Sequence, residues 1–281
     1  MDRAFALPAP AKINLFLHVL GRRNDGYHEL QTAYALIDLA DWVDIERRID
    51  GELLRSGDLI GAAGDDLALR AARLLQQRTG TRFGAEIRVH KRIPAGAGLG
   101  GGSSDAATTL VALNRLWQTG LDREQLAALG LEIGADVPFF VHGFNAFAEG
   151  RGEVLAPLEL PAASYALIWP QVHVSTKEIF EDPGLTRNTK ATKMASFSAA
   201  AGTMPWGAND LESVVRRRFP EIGRVIEHFA SFGPARMTGS GSAVFMAAHD
   251  ATAARAAVAE LPSGWLGWAV RGLAEHPLKA W

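Results

Sequence analysis

The sequence predicts an α+β protein of two domains joined near residue 160, and three observations lead there. Its 281 residues exceed what one average domain of ~150 residues holds. The first 160 residues mix alternating, β-type runs with amphipathic helices. From about residue 164 the order becomes β-α-β-β-α-β once two adjacent helices are merged, the split βαβ or ferredoxin-like arrangement. The expected division is an N-terminal catalytic domain over 1–160 and a C-terminal ferredoxin-like domain over 161–281.

The elements follow in order. Residues 11–20 (AKINLFLHVL) alternate and carry enough β-branched and aromatic side chains for a strand. Residues 33–49 continue extended, and Ala85 to Lys91 alternates again. Between them Asp66 to Arg78 reads as a helix: Leu67, Ala71, Leu74 and Leu75 share a face, Asp65 or Asp66 can cap it, and Gly80 lies just past its end. A second helix is expected from Ser104 to Trp117, with Ala106, Leu110, Leu113 and Trp117 on one stripe. A third starts at Asp122, where Gln125 stands at capping-box spacing. In the second half the expected order is a strand (YALIW), a loop, helices over 209–218 and 220–231, strands near 235–238 and 243–248, a helix over 250–260 and a strand over 266–271. The stretch 181–208, rich in Thr, Ser, Ala and Gly, reads as a loop region or flexible lid.

Composition removes several function classes. With no cysteine, a disulfide framework, a zinc–thiolate site, an iron–sulfur cluster and a thiol nucleophile are excluded. With 29 basic and 31 acidic side chains the net charge is -2, which argues against nucleic acid as a partner. No apolar run approaches the ~18–20 residues that span a bilayer. Met1 to Pro8 has an early acid and a proline where a signal peptide needs an apolar stretch. The expectation is a soluble, cytoplasmic protein with small-molecule partners, no nucleic acid and no membrane, as a monomer or weak homodimer. Glycine is 29 of 281 residues, about 10% where ~7% is usual, so where the surplus sits matters.

Much of it sits in Pro94-Ala95-Gly96-Ala97-Gly98-Leu99-Gly100-Gly101-Gly102-Ser103-Ser104-Asp105, which follows a strand and opens a helix. Glycines admit positive φ and let the backbone approach a ligand. The helix behind them offers unpaired N–H groups and a positive dipole end, to which Ser103 and Ser104 add hydroxyls. Phosphate cradling is the natural reading, with a ligand-free tight turn as the alternative. A Walker loop fails for want of its lysine, and a protein-kinase loop for want of its valine and of an HRD elsewhere. Gly96, Gly98 and Gly101 match G-x-G-x-x-G, but another helix follows where a dinucleotide fold needs a strand ending in an acid.

Phosphoryl transfer also needs a cation and a group that orients or deprotonates the acceptor. Lys12, in an otherwise apolar strand, either snorkels from an edge or faces a site. Asp136, in Gly134-Ala135-Asp136-Val137-Pro138-Phe139-Phe140, is either a helix N-cap or the group that orients or deprotonates the acceptor. Gly239-Ser240-Gly241-Ser242 reads as a hairpin turn that could also approach a phosphate. Arg22 to Leu30 (RRNDGYHEL) is a polar turn carrying an aromatic and a histidine. The eight histidines form no metal-ligand spacing, and neither Ser103 nor Ser240 lies in G-x-S-x-G.

Pro94 to Asp105 resembles the P-x-x-x-G-L-G-[GS]-[GS]-S-[SA] loop of the GHMP kinases. Pro10-Ala11-Lys12-Ile13-Asn14-Leu15, RRNDGYHEL and GADVPFF strengthen the likeness and narrow it to members acting on a cytidine diphosphate alcohol. The likeness extends to Asn209-Asp210-Leu211-Glu212 and to Met237 through Ser242, and is weakest over 181–208. It implies a two-domain GHMP kinase fold, with an N-terminal domain like one found in a ribosomal protein, and an ATP-dependent transfer to an alcohol, with Mg²⁺ expected. By the same resemblance Asp136 is the base for the acceptor hydroxyl, and Lys12 steadies the deprotonated oxygen or the moving phosphoryl group. Pro94, Ala95, Gly96, Ala97, Gly98, Leu99, Gly100, Gly101, Gly102, Ser103 and Ser104 wrap the ATP phosphates. Tyr27 and His28 stand at the cytidine end, Phe180 stacks on the base, and Thr176 and Asn14 hydrogen-bond nearby. Ala95-Gly96-Ala97 differs from the small residues that relatives often carry there. Rival readings are another small-molecule kinase of the family, a catalytically silent nucleotide or metabolite sensor on the same fold, and an RNA-binding module, which the net charge disfavours.

Overall fold

A computed structural model describes residues 2–58, 66–200 and 207–281. Two long antiparallel strands, β1 (Arg3–Arg22) and β2 (His28–Arg48), organise its first half. The expected strand begins at Ala11, whereas the observed one starts at Arg3 and runs through Pro8 and Pro10. The observed strand absorbs both by register shifts between Ala4 and Leu7 and between Pro10 and Ala11. One edge of β2 pairs with β1. Its other edge takes β5 (Ala146–Glu149) at Thr32–Tyr34 and β4 (Gly84–His90) at Trp42–Arg48. Outside these lie β3 (Leu53–Gly57), parallel to β4, and β6 (Val154–Pro157), antiparallel to β5.

Four helices cover one face of this sheet. In α1 (Leu67–Thr79) the carboxylate of Asp66 accepts from the Leu69 N–H, and Gly80 closes the far end in the left-handed region. The other candidate cap, Asp65, lies outside the described residues. Helix α2 spans Gly101–Trp117, and α3 (Arg123–Ile133) carries the expected capping box of Asp122 and Gln125. The short α4 (Val137–His142) follows Asp136. Leu75, Leu110, Leu113, Phe139 and Ile87 join in one buried cluster between helices and sheet.

The second sheet runs β10 (Leu266–Arg271), β7 (Ser164–Trp169), β9 (Val244–Ala248), β8 (Ala235–Met237), every neighbour antiparallel. In chain order this is 4-1-3-2, the ferredoxin-like topology. Its helices are α7 (Glu212–Arg218), α8 (Pro220–Phe229) and α9 (Ala251–Ala257). The break between α7 and α8 falls at Phe219, before a proline that cannot continue an i→i−4 ladder. Strand alternation then builds the layers. Tyr165 and Leu167 pack against Ile13, Leu15 and Ile37 of the first sheet, whereas Ala166 and Ile168 face the helices. The order of layers is helices, sheet, sheet, helices.

The segment expected as a loop or lid is tied down where it is described. Helix α5 (Thr176–Glu181) leads into it and α6 (Met194–Ala200) lies within it. Thr189 N–H donates to Val19 O, Thr192 N–H donates to Gln31 Oε1, and the Phe197 ring meets Phe16. Its remainder, 201–206, lies outside the described residues. After β10 the chain returns to the first sheet, where Leu273 N–H donates to Leu36 O. Among the described residues no helix is long and apolar enough to cross a membrane.

Candidate functional site

A cavity of about 1210 Å³ opens between the two halves, lined by the glycine loop, the β1–β2 turn, the head of α4, helix α5 and the β8–β9 turn. The loop is shaped by glycines at positive φ: Gly96 at 67°, Gly98 at 77° and Gly100 at 73°. A Cβ on Gly98 would stand 2.4 Å from Thr238 O, so only glycine lets the loop press against the β8–β9 turn. There Ala243 N–H donates to Ala97 O, and Gly239, Ser240 and Gly241 share the cavity wall. Both glycine-rich segments of the sequence therefore meet at one place.

Helix α2 begins at Gly101 and not at Ser104. Its N-cap is Gly100, with no side-chain bond, so the first-turn N–H groups are left for a ligand. Pro94 through Ser103 line the cavity. Ser104 does not: it is fully buried in the helix layer and its hydroxyl has no partner among the described residues. Below the loop Asp41 accepts from the backbone N–H groups of Arg92 and Ile93, and the Lys91 ammonium donates to both Asp41 and Asp105. Burial, against the pull of Lys91, pushes the Asp105 carboxyl up to about 7. The sequence reading passed over this cluster, since Lys91 follows a strand as an ordinary charged residue does and Asp41 lies inside β2 with its partners distant in the chain.

Lys12 and Asn14, two apart on β1, point to one face, and Asn14 stands opposite Tyr34 in register. Lys12 is 4% exposed, so it does not snorkel. Its ammonium donates to Asn14 Oδ1 at 2.6 Å, lies 3.6 Å from Asp136 Oδ2 and sits over the Tyr34 ring. Asp136 occupies the N-cap position of α4, yet its carboxylate makes no capping bond. Pro138 has no N–H to give, and the carboxylate accepts instead from the Tyr34 hydroxyl at 3.1 Å. Lys12 and Asp136, 124 positions apart in the chain (136 minus 12), are thus neighbours beside Gly100, whose Cβ would meet Lys12 Cγ at 3.2 Å.

Across the cavity the His28 and Phe180 rings lie 5.0 Å apart. Arg187 Nε donates to His28 Nε2, and its Nη2 donates to the carbonyls of Phe180 and Asp182. Burial, then the charges of Arg187 and Arg22, lower the His28 pKa. The imidazole is therefore neutral at neutral pH, with its proton on Nδ1. Tyr27 is exposed and carries the Arg151 guanidinium over its ring. Thr176, at the head of α5, shares a 2.7 Å hydroxyl contact with Ser240. Asn14 stands apart from this group, bonded to Lys12 and Thr32. Among the described residues no three His, Asp or Glu side chains gather into a metal cage.

Comparison with known proteins gives two family matches: GHMP kinases N terminal domain over residues 66–144 and GHMP kinases C terminal over 187–265. The chain is 54% identical to the 4-diphosphocytidyl-2-C-methyl-D-erythritol kinase of Aromatoleum aromaticum, over 100% of this chain and 98% of that protein. It is 55% identical to the kinase of the same name from Thiobacillus denitrificans, over 99% and 98%. A crystal structure of 4-(cytidine 5'-diphospho)-2C-methyl-D-erythritol kinase superposes with a TM-score of 0.84 at 37% identity, covering 96% of this chain and 98% of that one. A homoserine kinase from Cytophaga hutchinsonii shares the fold at a TM-score of 0.72 and 17% identity, over 98% and 95% of the two chains.

Proposed function

The chain belongs to the GHMP kinases, and we propose that it transfers the γ-phosphoryl group of ATP to the 2-hydroxyl of 4-diphosphocytidyl-2-C-methyl-D-erythritol. The products are the 2-phosphate and ADP, a step on the non-mevalonate route to isoprenoid precursors. Full-length likeness to kinases of that name supports the substrate. One observation carries the chemistry: the buried Lys12 ammonium 3.6 Å from Asp136, at the end of a glycine loop that opens a 17-residue helix.

In this reading the ATP phosphates rest on the Pro94–Ser103 backbone and the first-turn N–H groups of α2, where the dipole end favours anions. Asp136 takes the proton of the 2-hydroxyl as its oxygen attacks the γ-phosphorus in line. The bond to the β–γ bridging oxygen breaks, and ADP leaves with that electron pair. Lys12, held by Asn14, offsets the negative charge that develops on the attacking and transferring oxygens. Asn14 thus serves the reacting end, while Phe180 stacks on the cytosine, with Tyr27, His28 and Thr176 around it. Mg²⁺ accompanying ATP would be held mainly by phosphate oxygens and water with one or two protein oxygens, such as the Ser103 hydroxyl lining the cavity, and would supply charge neutralisation on the phosphates.

The cavity's size and lining suit small-molecule partners, and a cytoplasmic enzyme acting as a monomer or weak homodimer completes the reading. A domain boundary near residue 160 fits the gap between β6 and β7. The test is direct: purified protein is given ATP, Mg²⁺ and the cytidine diphosphate alcohol, and ADP release is followed. Release that depends on that alcohol is expected. Release with homoserine or mevalonate instead would redirect the assignment, and release with none of them would remove it.

A further inference from the structure

The base assigned to Asp136 is an acid at a helix head without a cap to hold it. Pro138 denies it one N–H, and no capping bond is made to the others. Lys12, its ionic neighbour, spends a 2.6 Å hydrogen bond on Asn14 and stays 3.6 Å away. Among the described residues, the hydroxyl of Tyr34 gives the carboxylate its one hydrogen bond, at 3.1 Å to Oδ1. A carboxylate in a roomy cavity rotates freely about its last torsion, and reaction needs one oxygen held near the hydroxyl it deprotonates.

We propose that Tyr34 is a positioning residue for phosphoryl transfer: its hydroxyl ties down Oδ1 of Asp136 and leaves Oδ2, beside Lys12, to take the acceptor's proton. The inference rests on Asp136 being the base. The surroundings fit a fixed donor. Tyr34 is 3% exposed, its ring packs on Phe139 at 4.8 Å, and the Lys12 ammonium lies 5.3 Å from the ring centre. Gly152, in the β5–β6 turn at φ 110°, makes room for the hydroxyl, since a Cβ there would stand 2.4 Å from it. Burial first, then the charge of Asp136, raises the Tyr34 pKa well above its ordinary value. The phenol therefore stays protonated and donates throughout the working range, taking no proton itself.

Tyr34→Phe keeps the ring contacts and removes only the donor. Losing a hydrogen bond to a charged group should lower kcat on the order of 10-fold or more, with both KM values and the ATP dissociation constant unchanged. In an Asp136→Asn background, assayed at high enzyme concentration, the same change should cost nothing further. Fluorotyrosine placed at 34 retains the hydroxyl and should restore turnover even if Tyr34→Phe lowers the melting temperature. An unchanged kcat, a loss confined to KM, an equal loss in both backgrounds, or no recovery with fluorotyrosine would each overturn the proposal. Full turnover by Asp136→Asn alone would remove the base itself, and Tyr34's role with it.

Discussion

Lys12 and Asp136 drew notice for the same reason: each is a charge in apolar company, which costs free energy unless something uses it. Their proposed roles came from the sequence, where each kept a structural alternative. The geometry speaks against those alternatives, with Lys12 only 4% exposed and Asp136 at a cap position without a capping bond. Tyr34 carried no such signal, because an aromatic in a buried strand reads as core. Its hydroxyl acquires meaning only once α4 brings a carboxylate to it. Phe180 is different again, an aromatic whose ring meets His28 at the cavity wall. Phe180→Ala should raise the KM for the cytidine substrate about 10-fold or more, as base–aromatic stacking is worth ~1–3 kcal/mol. The KM for ATP should stay as it was, and steady-state kinetics with each substrate varied in turn checks both.

At the scale of elements, helix interiors and caps followed from local pattern, and boundaries at glycine and proline did not. Helix α2 starts at Gly101, behind Gly100 in the left-handed region, and consecutive glycines offer no capping side chain to mark the start. The short β3, β5 and β6 went unread, since four or five residues carry too little periodicity. The segment after β10 is held by long-range contacts together with local turns. Arg123 donates to the carbonyls of Val141, Leu278, Lys279 and Trp281, and His276 Nδ1 accepts from the Leu278 N–H. Burial, then the charge of Arg123, lowers His276 to about 4. The unfolded chain would bind a proton there below about 6.5. The stability that the neutral imidazole contributes is therefore complete above about pH 6.5 and is lost as pH falls from there toward 4. Limited proteolysis should cut the 273–281 segment faster across that window, and His276→Gln should flatten the dependence. A cleavage rate independent of pH would contradict this reading.

Across the whole molecule the two sheets stack through Ile13, Leu15, Leu167 and Phe245, and the cavity lies where the glycine loop bridges to the β8–β9 turn. A ligand bound there contacts both halves and should stabilise them as one unit. ATP at about 100 times its dissociation constant should add ~2.7 kcal/mol to the unfolding free energy, with a further increment from the cytidine substrate. Thermal melts with each ligand and with both measure this; two separate transitions, only one of them responsive to ATP, would show that the halves unfold independently.

By itself the sequence determined the class of fold, a glycine loop opening a helix as the candidate phosphate cradle, and the residue types proposed for the kinase site. These depend on local periodicity, backbone freedom and the cost of placing charge in apolar strands. Only the tertiary structure decided which alternatives hold: that Lys12 faces Asp136, that the two glycine turns touch, that Asn14 serves the lysine and that Tyr34 holds the acid. Each of these joins residues distant in the chain, and such pairings are set by how sheets and helices stack, which no local window of sequence contains.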